Sequence, residues 1–206
     1  AWPLLRARGG EGLDVTLVCG ARAGVIAPWG ARLSKPATVV DKFFLGGAGD
    51  LRGFMTKGAG PTARRRRPGS ATAVAAATAA PAAGVEEDVD INDAAADAAG
   101  RDVLGGDLLA FGSVAVQVDP PASSWTERLR SMGVYAQAFA DVGALTTLGK
   151  GVGALRDNLR ASWGVGVAVP ITNNAALEIN YCVVAQAKAH DRVREGFQVN
   201  LRAHGL

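Results

Sequence analysis

Trp163-Gly164-Val165-Gly166-Val167-Ala168-Val169-Pro170-Ile171 places an apolar side chain at every second position, with small residues between. The same period of two runs through Leu177, Ile179, Tyr181 and Val183, set against Glu178, Asn180, Cys182 and Val184. It returns in Phe197, Val199, Leu201 and Ala203, set against Gln198, Asn200, Arg202 and His204. Successive side chains of an extended strand point to opposite faces, so each stretch carries one apolar face and one polar or small face. Windows of this length reach the roughly 9–11 residues with which a tilted strand crosses a bilayer. Apolar toward lipid and polar toward a wet lumen is the pattern of a transmembrane β-barrel. A soluble sheet that covers a core also alternates, and a soluble β-sheet binding module is the alternative of a different class. Against it, the second face holds glycine, alanine and amides instead of dense Lys and Glu. Trp163, Tyr181 and Phe197 also suit the aromatic girdles at membrane interfaces. The fold class is all-β, and the leading reading is a membrane channel.

Working outward, six windows read as strands: 13–26, 107–118, 131–142, 160–171, 175–187 and 195–205. A seventh, at 2–8, is weakened by Pro3, which has no N–H for a ladder. Pro120-Pro121 ends the second window, Thr172-Asn173-Asn174 makes a tight polar turn, and Ala189 to Glu195 joins the last pair. The segment from Leu145 to Asn158 holds a short helix. Short links between consecutive strands predict an antiparallel meander across 107–205, with 13–26 joining at one edge. Residues 36–61 are glycine-rich yet contain Val39, Val40, Phe43, Phe44 and Leu45, as expected of a loop that packs on something. Residues 62–100 hold fifteen alanines in thirty-nine positions, with separate basic and acidic blocks. Such a stretch cannot bury enough surface to fold alone, and no stable strand is expected in it.

The 206 residues and 49% hydrophobic content suffice for a sizeable core. Net charge is +3, with −2 in residues 62–100 and +5 in the remainder. That excess is too weak to argue for nucleic acid, and Arg64 to Arg67 read as a solvated stretch of loop. Cys19 and Cys182 lack CxxC spacing, and His190 and His204 have no third ligand nearby, so no disulfide framework, metal or cofactor is expected. Gly149-Lys150-Gly151 misses a phosphate loop, since Gly143 lies one residue too far upstream and Gly151 stands where Ser or Thr is needed. There is no Gly-x-Ser-x-Gly elbow, and no catalytic residues or enzyme activity are expected. Pro81 interrupts the alanine-rich stretch, so no transmembrane helix is read. The chain opens at Ala1 without a signal-peptide pattern, which leaves targeting encoded internally or the start missing.

Phe43-Phe44-Leu45-Gly46-Gly47, followed by Leu51-Arg52-Gly53-Phe54, is the most specific string in the chain. It resembles the conserved loop of the barrel-assembly superfamily, whose branches include BamA of the bacterial outer membrane, the channel subunit of the mitochondrial sorting and assembly machinery (SAM) and chloroplast envelope channels. Leu177-Glu178-Ile179-Asn180-Tyr181-Cys182 and the stretch from Asp191 to Leu201 look most like the mitochondrial branch. The resemblance implies a barrel of about sixteen strands, with the Arg-Gly-Phe loop folded back into the lumen. One strand before the loop and five after it correspond to the last six strands of such a barrel. The implied division is 1–61, a barrel strand plus the inward loop; 62–100, a disordered insert; and 101–206, the C-terminal barrel strands. Six strands cannot close, since single-chain barrels begin at about eight, so an open, curved sheet with two exposed edges is expected.

The resemblance further implies a subunit that inserts barrel precursors into the mitochondrial outer membrane, with precursors, companion subunits and outer-membrane lipid as partners. A precursor strand would enter at a gate between the first and last strands, templated by free edge N–H and C=O groups. The alternative within the superfamily is a protein-translocating channel of a chloroplast envelope or bacterial outer membrane.

The loop also has a direct physical reading. A guanidinium inside a barrel needs a fixed acceptor, and Asp141 shares the polar face of its strand with Tyr135 and Gln137. Arg52, Gly53, Phe54 and Asp141 form the expected loop latch, with Gly53 permitting positive φ or close approach to the wall. In the last strand, Arg194, Gly196, Val199 and Leu201 resemble the sorting signal of mitochondrial barrel precursors. Gly196 is expected to admit close approach of an incoming strand.

Overall fold

A computed structural model describes residues 2–8, 14–27, 37–64, 100–121, 123, 125–172 and 175–203. In chain order the elements are β1 (Trp2–Arg8), β2 (Asp14–Val25), β3 (Thr62–Arg64), β4 (Arg101–Val103), β5 (Leu108–Val118), α1 (Glu127–Ser131), β6 (Tyr135–Thr146), α2 (Ala154–Asp157), β7 (Leu159–Thr172), β8 (Ala175–Gln186) and β9 (Gly196–Ala203). Seven of the strands form one sheet in the order β1-β2-β5-β6-β7-β8-β9. Every neighbouring pair is antiparallel. β5 to β9 are the expected meander. The sheet is open within this chain, and it curls enough that Arg22 of β2 and Arg202 of β9 line one cavity of about 430 Å³.

Register explains the two faces. Val116, Ala138, Val165, Tyr181 and Phe197 stand in one row across five strands. The adjacent row, of opposite parity, is Gln117, Gln137, Gly166, Asn180 and Gln198. On the first parity the large apolar side chains Trp163, Val165, Ile179, Tyr181, Phe197, Val199 and Leu201 are exposed. On the second, Gln137, Asp141, Arg160, Ser162, Glu178, Asn180 and Gln198 are buried. A water-soluble sheet has the reverse arrangement; an apolar outside over a polar inside suits a lipid-facing wall around a lumen. The apolar core is supplied by the loop between β2 and β3, whose Leu45, Leu51, Phe54 and Ala59 pack against Leu109 and Leu145 of the wall.

Three expectations are corrected. Residues 2–8 do form a strand, because the register jumps from Pro3↔Val18 to Leu5↔Leu17, an irregularity that tolerates the missing N–H. β1 therefore covers the edge that β2 was expected to leave open. The stretch 62–100 is not free of strand at its margin, since Thr62–Arg64 pairs with Arg101–Val103 and Arg101 Nε donates to Thr62 Oγ1 at 3.1 Å. Residues 65–99 lie outside the described residues. The third correction concerns boundaries. β6 starts at Tyr135 and runs to Thr146, because α1 and the turn at Gly133 occupy the residues before it. The helix expected between Leu145 and Asn158 shrinks to α2, preceded by a 3-10 turn at Leu148–Lys150.

The stem has a direct consequence. Arg64 and Arg101 are paired across the β3–β4 ladder, so a two-residue turn closes it without disturbing either strand. Replacing residues 65–100 by Asn-Gly in the full-length protein is expected to leave folding and membrane integration unchanged, as read by heat-modifiable migration and carbonate extraction. Loss of either would show that the stretch contributes to the fold.

Candidate functional site

The described part of the loop, residues 37–61, packs against the inner face of the wall and leads into the β3–β4 stem. Its base is tied by the bridges Phe43↔Gly106 and Leu45↔Ala59, and its flank by Arg22 of β2, whose Nη2 donates to Asp50 Oδ1 at 2.9 Å. At its tip, Arg52 reaches the middle of the wall. Nε donates to Asp141 Oδ2 at 2.7 Å and Nη2 donates to Asp141 Oδ1 at 2.8 Å, a two-pronged pair with a fixed plane. Ser113 Oγ adds a third donor to the carboxylate at 2.6 Å. The guanidinium carbon lies 3.3 Å from the centre of the Phe139 ring, so the ring face covers the side of the cation away from water. Both charges are withdrawn from solvent, with side-chain exposures of 8% and 0%.

Gly53 follows in a backbone conformation, φ +86°, that an L side chain resists. A Cβ there would stand 2.8 Å from Cγ2 of Val184. The residue thus needs glycine for conformation and for space at once. Its N–H donates to Gln198 Oε1 of β9 at 3.2 Å and its carbonyl accepts from Arg194 N at 2.8 Å. Phe54 is buried in the apolar core and bridges Val193. The loop therefore grips both β6 and the segment that leads into β9.

The residues of the terminal strand are placed differently from one another. Val199 and Leu201 face outward and are exposed, whereas Arg194 precedes the strand and contributes its backbone to the loop contact. Gly196 opens β9 with φ +96°, and no heavy atom lies within 4 Å of the point where a Cβ would stand. Its positive φ favours glycine by conformation, and the space beside it is open.

A second buried ion pair lies outside the residues that the sequence marks. Arg160, at the start of β7, donates from Nε and Nη2 to Asp191 at 2.8 and 3.0 Å. Asp191 also accepts from Lys188 N and from Gly60 N of the loop. The signal that could have revealed it is parity, since Arg160 lies two positions before Ser162 on the lumen face. Asp191 sits in a link outside any periodic window, and nothing in the spacing marks it. Gln198 carried a signal as well, being the lumen-facing residue between Phe197 and Val199. Among the described residues no group of three or more His, Cys, Asp or Glu side chains is placed to hold a metal ion.

Residues 10–201 match the family model described as the Omp85 superfamily domain. The sorting and assembly machinery component 50 homolog of Bos taurus is 24% identical over 196 residues, covering 90% of this chain and 32% of that protein. The homolog from Homo sapiens is 25% identical over 185 residues, covering 85% of this chain and 30% of that protein. The chain thus spans about a third of the length of these relatives. A solved structure, BamA from Haemophilus ducreyi lacking POTRA domains 1–3, is similar with a TM-score of 0.58 at 16% identity, over 97% of this chain and 32% of that one. At that identity the likeness speaks to the fold alone.

Proposed function

The chain belongs to the Omp85 superfamily, and on that premise we propose that it forms part of the channel subunit of a β-barrel assembly machinery, which inserts and folds precursors in the mitochondrial outer membrane. The observation that carries this reading is the loop docked on an inside-out wall. The wall presents apolar side chains outward and buries its polar ones, and the Arg52–Asp141 pair fixes the loop tip against the lumen side of β6.

The chemistry of insertion follows from strand edges. In a transmembrane wall every backbone N–H and C=O needs a partner, because hydrocarbon offers none. A precursor strand can be accepted only where a wall strand has an unpaired edge, and among the described residues β9 is an end strand of the sheet. Pairing along such an edge satisfies both strands as the precursor enters. The outward row of Val165, Tyr181 and Phe197 faces outer-membrane lipid in this reading. Companion subunits and barrel precursors are the protein partners, and the mitochondrial outer membrane is the location.

The test is assembly of a labelled porin-type precursor in mitochondria depleted of the full-length protein. Precursor accumulating in a protease-sensitive, unassembled form, while import of matrix-targeted proteins continues, is the expected result. Unimpaired barrel assembly would overturn the proposal. A defect in moving soluble proteins through a chloroplast or bacterial outer membrane would place the chain among the translocating channels instead.

A further inference from the structure

The β8–β9 ladder ends at Cys182↔Gly196, although β8 continues to Gln186. Above that point the chain of β9 leaves the wall. Residues 192–194 turn inward and form a ladder with the loop: Met55 N donates to Arg192 O at 2.9 Å, Arg192 N to Gly58 O at 2.8 Å and Arg194 N to Gly53 O at 2.8 Å. Phe54↔Val193 is the bridge within it. The segment of β8 left behind is capped at one point by a side chain in place of a strand, since Val184 N donates to the Glu195 carboxylate at 2.9 Å.

We propose that residues 192–195 have two mutually exclusive partners, the loop when it is docked and the upper edge of β8 when it is not, so that loop release lengthens the terminal strand. Continuing the register of Cys182↔Gly196 sets Val183 opposite Glu195 and Val184 opposite Arg194. Ala185, where β8 bulges against β7, and Gln186 come opposite Val193 and Arg192. The Arg192 N–H and C=O and the Arg194 N–H cannot serve both ladders at once, because all three are committed to the loop while it is docked. When the loop departs, those groups lose their partners, and the edge of β8 is the adjacent strand that can replace them. Gly196 permits the change: with φ +96° and open space around it, it is the point at which the chain now leaves the wall. Glu195 holds the place of the absent strand by accepting the Val184 N–H, and is displaced when a backbone carbonyl takes over.

This inference rests on the docked loop and the strand register, and not on insertase activity. Its test uses the full-length protein in membranes, with Cys19→Ser and Cys182→Ala, and two engineered cysteine pairs. Phe54→Cys with Val193→Cys reports the loop ladder, and Ala185→Cys with Val193→Cys reports the lengthened strand. With the loop docked, oxidation should give mainly the first cross-link. Adding Arg52→Ala should lower it several-fold and raise the second several-fold. Loss of the first cross-link with no gain in the second would overturn the proposal. The reciprocal experiment does not require Arg52→Ala to fold: oxidising the Ala185→Cys, Val193→Cys protein should open the loop to trypsin at Lys57, and reduction should close it again. A loop equally protected in both redox states would also overturn the exchange.

Discussion

Arginine introduced at Val199 or Leu201 is expected to lower membrane stability by about 2–4 kcal/mol near the bilayer midplane, less toward the interfaces. Both side chains project from the outer face of β9, with exposures of 63% and 64%, and Phe197 beside them is 73% exposed. A guanidinium there must be dehydrated or must snorkel to the interface. On the alternate parity the effect is of another kind. Asn200 and Arg202 line the aqueous cavity, where Arg202 Nη1 donates to Glu178 Oε1 at 3.1 Å, and polar replacement is expected to be tolerated there. Gln198 is the exception on that face, since its carbonyl accepts from Gly53 N. A charge scan of 196–203 in the full-length protein, read by carbonate extraction, should show loss of integration at 197, 199 and 201. Uniform tolerance, or sensitivity only at 198, 200 and 202, would reject the lipid-facing assignment of the outer row.

That parity was legible in the sequence because strand geometry allows no compromise: a shift of one residue would move Phe197, Val199 and Leu201 inside together. The same rule places Asp141 on the inner face beside Gln137 from alternation alone. What period could not give is where a chain leaves the wall. The window read from the sequence reaches back to 195, yet β9 begins only at Gly196, and the loop offers 192–194 a competing set of hydrogen bonds. Two further limits are of the same kind. Pro3 argued against a strand by its missing N–H, and a register jump at that point removes the objection. Thr62–Arg64 is too short to show periodicity, and its partner lies beyond the insert, so only the closed stem reveals it. Asp191 gathers Arg160, Lys188 N and Gly60 N around one carboxylate. Parity could point to Arg160, but Asp191 lies in a link outside any periodic window, so its side of the pair carried no local pattern.

Removing Arg52 should cost close to the full penalty for a broken buried pair, about 3–5 kcal/mol, and not the roughly 0.2–1 kcal/mol of an exposed one. The deciding quantities are the exposures of 8% for Arg52 and 0% for Asp141, together with the two-pronged geometry at 2.7 and 2.8 Å. In Arg52→Ala, Asp141 keeps only Ser113 and a distant backbone N–H as donors, and the Phe139 ring loses the cation stacked on its face. Arg52→Lys should recover only part of the loss, since an ammonium cannot reproduce the paired bonds while stacking on the ring. Because the penalty comes from the stranded partner, Arg52→Ala combined with Asp141→Asn should be less destabilised than the sum of the two single variants. Two measurements on the full-length barrel follow: the temperature of the heat-modifiable transition, and tryptic cleavage at Lys57. Arg52→Ala and Asp141→Asn should each lower the first and accelerate the second. A loop as resistant to protease in Arg52→Ala as in the parent would show that the apolar anchors Leu45, Leu51 and Phe54 hold it unaided, and the ion pair would lose its role as the latch.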